Sequence, residues 1–224
     1  MIAREPVPPT AEPPPLDRRA RRRQETINEI LDIAIAVMTE HGVNGLTVSE
    51  VARRLGVQAP SIYKYFPSIA AMYDALFRRG MEENLRVLRA GMAGGRPGLD
   101  ALTVGLEASG RWVLHNQALA QLMFWRPVPS CEPSEQSMAP SEEIARLQMQ
   151  AIADAVADAQ LGREALDQAG YLVAILIKGV LTQAMANEPH IAWGKGRYTT
   201  LFPRLMTLLP AAYPPKPPAS RRRN

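Results

Sequence analysis

The segment 47–66, TVSEVARRLGVQAPSIYKYF, constrains the fold of this chain more tightly than any other stretch. Thr47 and Glu50 stand at the spacing of a T-x-x-E capping box, so a helix starts at Thr47. Val48, Val51, Ala52 and Leu55 share one face of that helix, and the small Ala52 lets a second helix come close. Gly56 tolerates the positive φ of a sharp turn, and Val57 is placed to plug the corner behind it. Proline is accepted only in the first turn of a helix, so Pro60 sets the next start near residue 58 or 59. Ile62 and Phe66 then face inward, which turns Ala59, Pro60, Ser61, Tyr63 and Lys64 to the surface or its edges. A surface of Ser, Tyr and Lys without carboxylates suits a phosphate-lined groove. Helix, glycine turn, helix is the arrangement whose second helix enters the DNA major groove, although plain αα-hairpins use the same spacing.

The stretch resembles the DNA-binding domain of the tetracycline-repressor (TetR) family. In that pattern a long first helix ends in Gly and is followed by T-x-x-x-[IV]-A-x-x-x-G-V-x-x-x-x-[LI]-Y-x-[HY]-F. This chain supplies Gly42, Thr47, Val51, Ala52, Gly56, Val57, Ile62, Tyr63, Tyr65 and Phe66 in order, and the resemblance covers about residues 21–76. It implies that Thr47 holds a phosphate at a helix start, where the helix dipole favours an anion. It implies that Ala59 and Pro60 offer apolar contact to a thymine methyl and Ser61 a hydrogen bond to a base edge. Tyr63 and Tyr65 would hold phosphates through their hydroxyls, and Lys64 would reach a phosphate or a base acceptor. Tyr65 reads equally as packing beside Phe66. One position departs from the pattern: Ile69 stands where the family usually has a phosphate-clamping lysine, although Ser68 can still cap the following helix. The arginines at 18, 19, 21, 22 and 23 are placed to make good that charge.

The rest of the chain reads as an all-α protein of about nine helices. Hydrophobic residues make up 46%, enough for a sizeable core, while β-branched alternation is scarce. Helices are expected near 21–41, 47–55, 58–65, 68–91, 99–116, 117–125, 141–160, 163–187 and 197–209. The four prolines of 126–140 mark a long loop. The expected organisation is a disordered Pro/Arg-rich arm over 1–20, a helix-turn-helix domain over 21–76, a ligand-binding and dimerisation domain over 77–213, and a disordered basic tail over 214–224.

Within the larger part, Leu166, Ala169, Gly170, Val173, Ala174, Ile177, Val180, Leu181 and Ala184 form a wide apolar stripe. With Leu201, Leu205, Leu208 and Leu209 it predicts a homodimer interface about a two-fold axis, and intramolecular core is the alternative. A two-fold dimer places two recognition helices about 34–36 Å apart, matching a palindromic operator in double-stranded DNA. Trp112, His115, Met123, Phe124, Trp125, Met149 and Tyr171 are the candidates to line a pocket for a small hydrophobic effector. Each is also an ordinary core residue type.

Several classes are excluded by what the sequence lacks. The glycine-flanked serine of hydrolases, a phosphate-binding glycine loop, H-E-x-x-H and paired cysteines are all missing, so no enzyme and no cofactor is expected. Three scattered histidines lack metal-ligand spacing, and the single Cys131 excludes an internal disulfide and fits a reducing cytoplasm. The most apolar run, 171–180, is short and contains Lys178, so no membrane span is expected. The reading is therefore a ligand-responsive transcriptional regulator, a repressor. An activator, or a regulator without a small-molecule ligand, fits the same residues.

Overall fold

The computed structural model describes residues 18–129 and 131–215, and among these the chain holds ten α-helices, two 3-10 turns and no strand. Helix α1 (Arg18–His41) buries Ile30, Leu31, Ala34, Val37 and Met38 on one stripe. The arm expected over 1–20 therefore gives way to helix at Arg18; residues 1–17 and 216–224, with the C-terminal arginines, lie outside the described residues. Two short helices follow a 3-10 turn: α2 (Val48–Leu55) and α3 (Ala59–Ile62). Helix α4 (Ile69–Met92) is next, and α5 (Leu99–His115) and α6 (Gln117–Trp125) complete the first half. Then come α7 (Glu135–Ala157), α8 (Ala165–Asn187), α9 (Phe202–Met206) and α10 (Leu208–Ala212).

Two cores organise these elements. The first gathers the stripe of α1 with Val51, Ala52, Ile62, Phe66, Met72 and Leu76, and it recruits Leu119, Leu122 and Met123 from α6. The second joins α5, α7 and α8 with Phe202, Met206 and Leu209. Helix α4 serves both, with Met72 to Met81 in the first and Leu88 in the second. At 1.5 Å per residue it spans roughly 36 Å, so one rigid element runs through both halves. Packing does not part at residue 76, because Phe77 and Met81 still belong to the first core. Gly80 lets α6 approach closely: a Cβ there would lie 2.5 Å from Met123 Sδ.

Three expectations are corrected. The loop expected over 126–140 ends at residue 134, where the Ser134 hydroxyl accepts from Ser137 N–H and caps α7. Pro140 then falls in the second turn, where it withholds the donor owed to the Gln136 carbonyl and crowds that carbonyl with its ring. The helix expected over 197–209 is broken into a 3-10 turn, α9 and α10, because Pro203 and Pro210 each withhold an N–H.

The third correction concerns α8. Its stripe of Ala169, Val173, Ile177, Val180, Leu181 and Ala184 is buried within the chain and is core, not a free interface. By length and composition this 23-residue helix, with mean hydropathy 1.5 over its most apolar 18 residues, passes the test for a membrane-crossing helix, a test that the core helix of a soluble protein also passes. Its buried face packs in the second core, as a core helix does. The opposite side carries the surplus apolarity, with Tyr171 75% and Ile175 68% exposed.

Candidate nucleic-acid interface and ligand cavity

Local chemistry shapes the helix-turn-helix. Thr47 is extended (φ −133°) and its hydroxyl accepts from Glu50 N–H at 3.2 Å, so it caps α2 as expected. The reciprocal half of the capping box is not made. The Glu50 carboxylate instead accepts from Arg53 at 2.8 Å and Arg54 at 2.7 Å, and these hydrogen bonds hold its pKa down to about 2. Arg54 also reaches the Glu40 carboxylate at 2.7 and 2.8 Å, fastening α2 to α1. Helix α2 ends on Gly56 in the left-handed region (φ 74°). Gly56 N–H donates to Arg53 O and Val57 N–H to Ala52 O, the paired bonds of a Schellman motif. Val57 is exposed and does not plug the corner as expected.

The second helix of the motif is shorter than expected. Helix α3 spans four residues, and turns carry the chain on to Phe66, whose N–H donates to Ile62 O at 3.0 Å. Ile62 and Phe66 are buried as anchors. Pro60, Lys64 and Tyr63 (50% exposed) face solvent, Thr47 is exposed nearby in sequence, and Ala59, Ser61 and Tyr65 are half-buried. Tyr65 packs against the first core and also lies under the Arg23 guanidinium, 5.1 Å from its ring centre. Arg23 donates to the Lys64 carbonyl at 3.4 Å. One arginine of the cluster at 18–23 thus sits beside the recognition element, a pairing across forty-odd residues that no local pattern reveals. Ser68 caps α4 by accepting from Ala71 N–H, and Ile69 packs against the first core.

The larger half contains a cavity of about 400 Å³ between α4, α5, α6, α7 and α8, within the range of small-molecule sites. Met81, Leu106, Met123, Phe124, Ile144 and Ile177 give it an apolar lining. Asn84 and Ser109 are the buried polar pair in its wall; Asn84 Nδ2 donates to Ser109 Oγ at 2.9 Å. Of the residues singled out from sequence, Met123 and Phe124 line this cavity. The others are placed elsewhere. Trp112 is wedged half-buried between the two cores, and Met149 packs against the second. His115 is exposed, with Nδ1–H donating to Arg111 O. Trp125 is 40% exposed at the edge of Phe124, with ring centres 5.9 Å apart, and Tyr171 points outward from α8. Arg126, Met138 and Lys178 line the cavity without having been singled out.

Comparison with known proteins agrees with this geometry. Residues 30–76 match the family described as bacterial regulatory proteins, tetR family. That match covers the helix-turn-helix and the first turns of α4. The tetracycline repressor protein class A from transposon 1721 of Escherichia coli is 40% identical over 57 residues, 25% of this chain and 26% of that protein. The HTH-type transcriptional repressor KstR2 of Rhodococcus jostii (strain RHA1) is 32% identical over 100 residues, 43% of this chain and 48% of that protein. The chain therefore spans between about a quarter and a half of the length of these curated TetR-like relatives. The likeness of fold reaches further. The transcriptional regulator FadR of Bacillus subtilis, solved in complex with stearoyl-CoA, aligns over 81% of this chain and 96% of its own with TM-score 0.68 at 16% identity.

Proposed function

We propose that this protein is a transcriptional regulator that binds a palindromic DNA operator as a homodimer, and a repressor that a small hydrophobic effector releases. One observation carries the DNA-binding half of this reading. Pro60, Tyr63 and Lys64 are presented to solvent by a short element whose Ile62 and Phe66 are locked in the core. Exposed groups on a rigid base are what a base-reading surface requires. The TetR-family match covers the same residues, and two of the relatives above are named as repressors. Thr47, Ala59, Ser61 and Tyr65 are assigned to the same interface as phosphate or base contacts.

The dimer is assigned to the outer face of α8. Tyr171, Ile175 and Gly179 recur every fourth residue, so they line one side of the helix, and nothing lies within 4 Å of a Cβ built on Gly179. Leu201 and Leu208 add exposed apolar surface on the elements that follow α8. Self-association about a two-fold axis buries such a face twice over.

The effector is assigned to the cavity, and a neighbour of the same fold, FadR, was solved in complex with a small molecule, stearoyl-CoA. Met123 couples it to the DNA-binding end. It lines the cavity and touches α4 at Gly80, and the first turns of α4 lie in the head core. A ligand that prefers one position of Met123 biases α4, and through it the separation of the two heads.

The test is fluorescence anisotropy of the purified protein on its own upstream DNA at two salt concentrations, beside Tyr63→Ala and Lys64→Ala. Tight, salt-dependent, sequence-specific binding that both variants weaken is the expected result. Equal binding by wild type and both variants would overturn the assignment of the recognition element.

A further inference from the structure

The geometry points to an amphipathic anion as the occupant of the cavity, its apolar chain against the lining and its anionic head at a mouth formed by Arg126 and Lys178. This inference rests on the reading of the cavity as the effector site and names the chemical class of the effector.

The charge of the lining carries the argument. Arg126 and Lys178 both line the cavity, and none of its lining residues is acidic. The Arg126 guanidinium donates to the Met138 sulfur at 3.9 Å, and Lys178 Nζ lies 6.0 Å from the centre of the Phe124 ring. Neither makes an ion pair among the described residues. Asp74 and Glu132 border Arg126 from a separate crevice of about 10 Å³ without pairing with it. The Asp74 carboxylate is already taken by Ser134. Two unneutralised cations beside a low-dielectric cavity attract an anion and repel a cation.

The backbone at Arg126 gives a second, independent observation. Arg126 ends α6 in the left-handed conformation, φ 45° and ψ 58°. Glycine takes that conformation without strain, whereas a side chain pays for it. An arginine held there places a guanidinium at the cavity mouth, and strain of this kind concentrates at ligand sites.

The lining sets the rest of the ligand. Its polar pair is satisfied internally, since Ser109 Oγ also donates to Asn84 Oδ1 at 3.2 Å. Ser141 and Gln148 add polar groups from α7, and the rest of the wall is methionine, leucine, isoleucine, phenylalanine and alanine, which rewards methylene groups. A fatty acid and its coenzyme A thioester share this chemistry, an apolar chain with an anionic head.

Isothermal titration of the full chain with decanoate, decanoyl-CoA, 1-decanol and decyltrimethylammonium tests the proposal without DNA. Decanoate or decanoyl-CoA is expected to bind at least about tenfold more tightly than decanol, with the ammonium weaker still. Tighter binding of the thioester than of the acid supports a coenzyme A source, and the reverse supports the free acid. In Lys178→Met, and in Arg126→Gln/Lys178→Met, the affinity of the anion falls towards that of the alcohol; Lys178 is exposed, so its single variant is readable even where the pair unfolds. Equal binding of acid and alcohol, no binding of either anion, or a preference retained in the variants would overturn the proposal. The effector-site reading fails separately: it is lost if decanoate binds and DNA affinity is unchanged. It survives, and the anion proposal falls, if only a neutral or cationic compound binds and releases DNA.

Discussion

The Asp74 carboxylate accepts two hydrogen bonds from Ser134, 2.7 Å from the backbone N–H and 3.0 Å from the hydroxyl. Asp74 lies in the first turns of α4, within the matched TetR-family segment, and Ser134 is the N-cap of α7. The pair ties the end of the DNA-binding half to the helix that supplies Met138, Ser141 and Ile144 to the cavity. Asp74→Ala and Ser134→Ala should each cost about 1 kcal/mol, the usual value of a helix cap, or roughly 2–4 °C in melting temperature. Ser134→Ala keeps the backbone N–H bond to Asp74 and shares with Asp74→Ala only the loss of the hydroxyl bond, so the double variant should lose less than the sum of the two singles. Strictly additive losses in thermal unfolding would show that the two residues act separately.

The recognition element separates readily into anchors and readers. Ile62 is fully buried, so Ile62→Ala should destabilise the protein by about 2–5 kcal/mol. Tyr63→Ala and Lys64→Ala alter exposed side chains and should leave stability within about 0.5 kcal/mol while weakening DNA binding. Lys64→Ala should also reduce the slope of log affinity against log salt by about one. Circular-dichroism melts beside the binding curves distinguish the two roles. A large stability loss in Tyr63→Ala would place that ring in the core instead.

Some of this was legible in the sequence because it is local chemistry. The Thr47 cap, the Gly56 turn, the Pro60 start and the Ser68 cap each depend on neighbours within a few residues, and each stands where the pattern put it. The cavity was not legible, because five helices distant in sequence converge on it and helix rotation decides which side chains reach it. Trp125 and Tyr171 were chosen for size and turn outward. Arg126 and Lys178 carry charges that local reading assigns to solvent. Helix α8 is apolar on most sides, so its periodicity could not say which side faces inward. The start of α7 was masked by prolines, although Ser134 followed by Glu135 was a capping signal within reach.

The outer face of α8 yields a test of assembly that leaves the monomer fold alone. Ile175 is exposed, so Ile175→Glu removes no internal contact of note. In sedimentation analysis the variant should be monomeric at concentrations where the wild type is a dimer. Its affinity for a palindromic operator should fall by at least about a hundredfold, because two linked heads bind with far greater avidity than one. A variant that stays dimeric would move the interface away from this face.

The Glu50 carboxylate predicts a defined acid dependence. Hydrogen bonds from Arg53 and then Arg54 hold its pKa at about 2, below the ordinary 4.5. A group with a depressed folded pKa stabilises the fold fully above its unfolded value, and that contribution is lost as pH falls through the folded value. Glu40 is depressed in the same direction by its hydrogen bond with Arg54, so the two carboxylates act in one pH window. Melting temperature should therefore fall between pH of about 4.5 and about 2 more steeply in wild type than in Glu50→Gln, whose amide has no proton to gain. At pH 7 the variant should melt below wild type by about the extra amount that wild type loses in acid, and both differences are modest because these ion pairs are open to solvent. Equal acid slopes in the two proteins would mean that the Arg53 and Arg54 contacts do not persist in solution.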